Sequence, residues 1–281
     1  MSEELDPQAG EPGGEPEGYD YRTGMAGDVA GGEPAEAPRG FAAIVGPFLN
    51  AIVAPAQCWE ALDARPALSA WIVGWIAVLS TVLAVINLPI TQQVMVAATR
   101  AQMQAQGSEM SAEQLERMQQ SMMTFGTVAA YASSIFLLVL VALTALVIWV
   151  LAAIMGGSGA TFGRSFGVAA AAGVVRPFLY SLYVTIILQM NPPEIRRPED
   201  IAAMTPTLGL DLLLSGPDTP VWLNAIFQRL DLFNLWWAVL IVGGSMALLK
   251  LSKTQGIVIA LLIWLFGTLI AMGGAVLQTL G

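Results

Sequence analysis

Residues 127–155 read TVAAYASSIFLLVLVALTALVIWVLAAIM, without a single Asp, Glu, Lys or Arg. A helix needs about 20 predominantly apolar residues to cross the roughly 30 Å hydrocarbon core of a bilayer, and this stretch is long enough to do so. Lipid offers no partner to an open backbone, and each unpaired amide costs several kcal/mol there, so the segment must satisfy its amides internally as a helix. The alternating polarity of a membrane-spanning strand is found nowhere in the chain. The fold class follows: an all-α polytopic membrane protein.

Working outward, the same criterion selects residues 67–90, 166–190, 232–249 and 256–277, giving a bundle of five transmembrane helices with the two termini on opposite sides. The chain of 281 residues is 56% hydrophobic and 12% charged, about half the charged share of a soluble domain, as expected where lipid is the solvent. The formal charge of -9 is misleading until it is mapped: ten acids and two arginines lie in residues 1–40, leaving eleven acids and ten bases for the body. That amino-terminal stretch has nine Gly and five Pro and too little apolar surface to offset ordering, so residues 1–40 read as a disordered acidic tail. Its acidic start and lack of an apolar core are unlike a secretory signal. Residues 41–281 form the membrane domain.

The connections carry their own signals. FAAIVGPFLNAIVAPAQCWEALDARP, residues 41–66, is apolar but broken by Pro47 and Pro55, and neither piece is long enough to span. It reads as an interfacial element, with Phe41, Ile44, Phe48, Leu49 and Ile52 in lipid and Trp59 as an anchor at headgroup depth. Residues 91–126 read as helix, turn, helix: Gly107 suits a helix end, and Ser111 with Gln114 has the spacing of a capping box. The two helices that meet at this turn therefore project from the membrane as an antiparallel hairpin, with methionines at 103, 110, 118, 122 and 123 offering an adaptable face or packing against the neighbour. In residues 191–229, Thr219 is the expected N-cap and Pro220 the first residue of a short amphipathic helix. Trp222, Leu223, Ile226 and Phe227 on that helix rest on the membrane or cover the bundle. The short connections at 156–165 and 250–254 hold basic residues and no acid, which places them, and the amino terminus with them, on the cytoplasmic side.

Chemistry is mostly excluded. There is no histidine, which removes the usual general base near neutral pH, the common zinc ligand and the Ser-His or Cys-His pairings. The lone Cys58 reads as a small buried hydrophobe. Gly156, Gly157 and Gly159 lack the spacing of a phosphate-binding loop, and no basic cluster points to nucleic acid. No paired carboxylates or activated nucleophile lie in the spans, so no enzyme, cofactor or metal site is predicted.

The exception to the apolar pattern is AAAAGVVRPFLY, residues 169–180, where Arg176 stands beside Pro177 deep in the third span. A charge there costs about 2.5–3.5 kcal/mol to insert on translocon scales. No acid lies in any span, so the candidate partners are Asp231 at the start of the fourth span, carbonyls freed at Pro177, or a lipid phosphate. Pro177 removes a helical hydrogen bond and crowds the Gly173 carbonyl, so the helix is expected to bend. Arg176 either binds an anionic headgroup or solute in the opening, or caps those carbonyls and snorkels. Asp231, beside Trp236, is either an N-cap or a contact between the third and fourth spans. Gly167 with Ala171, Ala169 with Gly173, and Gly243 with Ala247 give small faces for close helix packing or for a homo-oligomer contact.

Three stretches resemble the Yip1 family of integral membrane proteins, in particular its bacterial branch: AIVAPAQCWEALDARP, IMGGSGATFGRSFGVAAAAGVVRPFLY and RLDLFNLWWAVLIVGGSMALLKLSKTQGIVIALLIW. Leu230, Asp231, Phe233 and Trp236 stand at that family's spacing. The resemblance implies a cytoplasmic amino terminus and a membrane-organising or trafficking role. In eukaryotic relatives it implies a prenylated small GTPase as partner, but their Asp-Leu-Tyr-Gly-Pro-like stretch before the first span has no counterpart here. The expected function is a non-enzymatic scaffold in a bacterial inner membrane that touches lipids and other membrane proteins. The alternative is a small transporter or channel with Arg176 lining the path.

Overall fold

The computed structural model describes residues 41–105, 112–190, 208–216 and 219–280. The acidic tail, Gly107, Ser111, Met110 and the Pro-rich residues 191–200 lie outside that description. Among the described residues the fold is α-helical, apart from an isolated antiparallel bridge between Gly209 and Asp231. In chain order the elements are α1 (Phe41–Val53), α2 (Pro55–Ala64), α3 (Leu68–Ala105), α4 (Ala112–Ile154), α5 (Phe162–Gly173), a π-helical segment (Val174–Tyr180) and α6 (Ser181–Met190). There follow α7 (Asp211–Leu214), α8 (Val221–Arg229), α9 (Leu232–Ala247) and α10 (Lys253–Leu280).

Among the described residues four helical runs are long and apolar enough to cross a membrane: Leu68–Ala97, Met123–Ile154, Phe162–Met190 and Lys253–Gly273. They coincide with the first, second, third and last expected spans. The remaining one, α9, is apolar but has only 16 residues, about 24 Å of helix against a core of about 30 Å. The expected fourth span thus exists as a helix but is shorter than the others. Helices α3 and α4, with 38 and 43 residues, outrun any bilayer and continue as the antiparallel pair that the sequence suggests.

The bundle is organised around α5. Its Ser165, Gly167, Val168, Ala169–Ala172 and Gly173 are buried, and it packs on α3, α4 and α9. Small side chains let several backbones approach one helix, which is what stabilises packing where lipid removes the hydrophobic drive between helices. Thr161 caps α5 by accepting from the Arg164 amide. The Gly156–Ala160 turn then meets the turn after α9: the Gly159 amide donates to the Leu249 carbonyl at 3.2 Å, and a Cβ at Gly159 would run into the Leu248 carbonyl oxygen. The Gln255 amide nitrogen closes the same end by donating to the Met155 carbonyl at 2.8 Å.

Two expectations are corrected here. Trp59, read as an anchor at headgroup depth, and Phe48, read as dipping into lipid, are 6% and 5% exposed and belong to the core. Pro55 breaks α1 from α2 and turns α2 back across α5 and α9, so the Trp59 indole lies over Gly243 and Gly244, while Phe48 packs at a tilt against Phe178 with ring centroids at 5.3 Å. Leu49 and Val53 keep the outward face. Thr219 does not cap α8: its hydroxyl accepts from the Gly216 amide at 2.7 Å within the preceding turn, and Pro220 holds the cap position. Helix α8 packs on α10, so it covers the bundle. Cys58 is fully buried, as read from the sequence, and burial pushes its thiol up to about 12.

Candidate functional site

Pro177 cannot donate to the helical ladder, and the backbone around it answers by widening into the π-helical segment Val174–Tyr180. The Pro177 carbonyl then accepts two hydroxyls, from Ser181 at 2.7 Å and from Ser80 of α3 at 3.2 Å. The serine hydroxyls hold the Pro177 carbonyl against α3 and α6, and the Arg176 side chain reaches α9.

Arg176 Nη1 donates to Asn234 Oδ1 at 2.9 Å. Asn234 in turn donates through Nδ2 to Asp231 Oδ2 at 2.8 Å, and its amide donates to Asp231 Oδ1 at 2.6 Å. Asp231 is thus the N-cap of α9, and the intramembrane arginine reaches it through Asn234 rather than directly. Asn234, which the sequence reading passed over, is the residue that joins the third run to α9. Its signal was present in the spacing: it stands three residues after a capping Asp, where a side chain folds back toward the cap. Phe233 reinforces the joint by packing between Tyr180 and Tyr183, with ring centroids at 5.6 Å and 5.8 Å. Trp236 is half-buried against the core beside them.

The chain reaches this joint through α8. The Arg229 carbonyl accepts from Trp264 Nε1 at 3.3 Å, and its guanidinium lies over Gly267, where a Cβ would be 2.9 Å from Nη1. Burial, and then the positive charge of Arg176, hold the Arg229 pKa below its ordinary value, with Asp231 opposing both. Two arginines therefore share the neighbourhood of one buried carboxylate.

On the other side of the π segment is a cleft of about 480 Å³ between α3, α4 and α6. Its polar lining comes from Ser80, Asn87, Ser133, Arg176, Tyr180 and Ser181. Asn87 Nδ2 donates to Thr185 Oγ1 at 2.7 Å, and Thr81 and Ser134 bring their hydroxyls together across α3 and α4. Among the described residues no group of three Cys, Asp or Glu side chains converges. What the arrangement can do is hold helices in register and present a guanidinium within lipid.

Apolar helices long enough to cross a bilayer, together with an intramembrane charge hydrogen-bonded to a neighbouring helix, define a polytopic helical membrane protein. Residues 49–274 match the model of the Yip1 domain, and the chain belongs to the Yip1 family. Comparison with curated proteins and with solved structures returned no match.

Proposed function

We propose that this protein is a non-enzymatic scaffold that organises membranes or membrane-protein partners in a bacterial cell membrane, with its amino terminus cytoplasmic. The observation that supports it is the link from Arg176 through Asn234 to Asp231. A permanent intramembrane charge is costly, and here it is spent on joining two helices, which is what a rigid adhesive bundle needs. The apolar face of α4, with Phe136, Val139 and Leu143 outward, is the surface offered to lipid and to other spans. The test is photocrosslinking in native membranes with the probe at Leu143, followed by identification of adducts. Discrete adducts to other membrane proteins support the reading; adducts to lipid alone overturn its membrane-protein partners.

The cleft beside Arg176 favours a second reading, a transporter for a small anion. Purified full-length protein in liposomes separates the two. Saturable chloride or phosphate flux that Arg176→Gln abolishes would replace the scaffold reading, and flux equal to that of empty liposomes would remove the transporter.

A further inference from the structure

A groove of about 920 Å³ runs between α9 and α10. Its walls are Leu235, Val239 and Val242 of α9 and Ile257, Leu261 and Trp264 of α10. Charged groups stand only toward its ends. Lys253 lines one end; Arg229 and Asp231 line the other, where Asp231 stands between Arg229 and, through Asn234, Arg176.

The Lys253 end is different. Nearby Lys250 donates to the Ala247 carbonyl at 2.6 Å and lies 3.7 Å from Asp63, and Arg164 pairs with the same Asp63 at 3.0 Å. Lys253 has no hydrogen bond or ion pair among the described residues, although it is exposed at the mouth of an apolar channel. From Lys253 to Trp264, α10 rises about 16 Å at about 1.5 Å per residue. One leaflet's share of a hydrocarbon core of about 30 Å is about 15 Å. The groove is therefore about one monolayer deep, with a cation at its outer end that is unpaired among the described residues.

We infer that the α9/α10 groove is a seat for one anionic phospholipid, its acyl chain against Val239 and Leu261 and its phosphate on Lys253. A zwitterionic lipid fits the walls equally and brings the same phosphate, but its own ammonium group cancels that charge, so the net charge sets the preference. This proposal does not rest on the scaffold reading, because a lipid seat is compatible with either function above.

The test is native mass spectrometry of the purified full chain equilibrated with mixed micelles of phosphatidylglycerol and phosphatidylethanolamine. A lysine at a membrane surface is worth about fivefold in affinity for anionic lipid, so Lys253→Gln is expected to lower phosphatidylglycerol retention by about that factor and leave phosphatidylethanolamine unchanged. Arg65→Gln, an exposed cation just before α3, is expected to change neither. Val239→Trp, at an exposed wall position, fills the groove and is expected to release phosphatidylglycerol; Leu261→Trp replaces it if that variant elutes as aggregate. Equal effects of Lys253→Gln and Arg65→Gln would overturn the proposal, as would full retention in the filled-groove variant. A crosslink between two copies through Val239 and Leu261 would overturn it as well, by making the groove a dimer face.

Discussion

Asn234 accepts from Arg176 at 2.9 Å and donates to Asp231 at 2.8 Å, so an alanine there leaves a guanidinium and a carboxylate each short of a partner. A buried polar group left unsatisfied costs about 1–3 kcal/mol, and more when it is charged. Asn234→Ala is expected to lower the thermal midpoint of the detergent-purified protein by several degrees, more than Trp236→Phe, which keeps an aromatic ring on the core and removes no hydrogen bond of the link. Equal midpoints for Asn234→Ala and the parent would show that Arg176 finds its stabilisation elsewhere. Cys58 gives a second residue-scale expectation. Its thiol ionises at about 12 in the folded chain against 9.0 for an exposed thiol, because burial disfavours the thiolate. Below pH 9.0 both states keep the proton and this group adds no pH dependence. Above it the unfolded chain ionises first, so stability falls as pH rises toward about 12. Denaturation midpoints at pH 8, 9 and 10 should therefore decline more steeply for the parent than for Cys58→Ala.

The contact of α2, α5 and α9 is set by what a glycine leaves out. A Cβ at Gly244 would stand 2.9 Å from both methyls of Val168 and 3.1 Å from the Trp59 ring. Alanine gains about 1 kcal/mol over glycine in a helix interior, but overpacking costs about 1–3 kcal/mol, and a β-branched Val168 held by its own helix has little room to turn. Gly244→Ala should therefore be net destabilising, by roughly 1–2 kcal/mol, and Val168→Ala should recover part of that loss in the double variant. Additive losses in the cycle would show that the two positions are not in contact. This joint also shows where reading the chain in one dimension stopped. The small residues at 167–173 and 243–247 announced close packing, and the apolar runs announced the helices that cross, because each signal repeats at a local period. The place of Trp59 was not legible: an aromatic beside Glu60 and Asp63 at the edge of an apolar stretch has the same local pattern whether it faces a headgroup or a pair of glycines nearly two hundred residues away. Asn234 escaped for a related reason, since its role depends on how far the π-helical segment rotates Arg176, and that rotation follows from Pro177 and two serines on different helices.

At the scale of the whole molecule the open quantity is how α9 sits in the bilayer. Its 16 residues amount to about 24 Å, about 6 Å less than the hydrocarbon core. Its carboxyl end is tied to the end of the bundle that holds Gly159 and Met155, through Leu249 and Gln255. Its amino end meets Arg176, about 21 Å along the third run from Phe162 at about 1.5 Å per residue. Beyond that end, α8 packs on α10 and Gly209 bridges Asp231 at the start of α9. A helix slightly too short is accommodated by local thinning or by its flanking groups, at fractions of a kcal/mol per Å, so α9 is expected to cross together with the polar groups that cap it. Single cysteines introduced into Cys58→Ala at Ser215 and at Ser252, both exposed, decide the matter. Treatment of intact cells and of inverted vesicles with a charged, membrane-impermeant maleimide should label the two positions from opposite sides, Ser252→Cys from the cytoplasm. Labelling of both from one side would mean that α9 dips into the bilayer and returns, leaving an even number of crossings and both ends of the membrane domain on the same face.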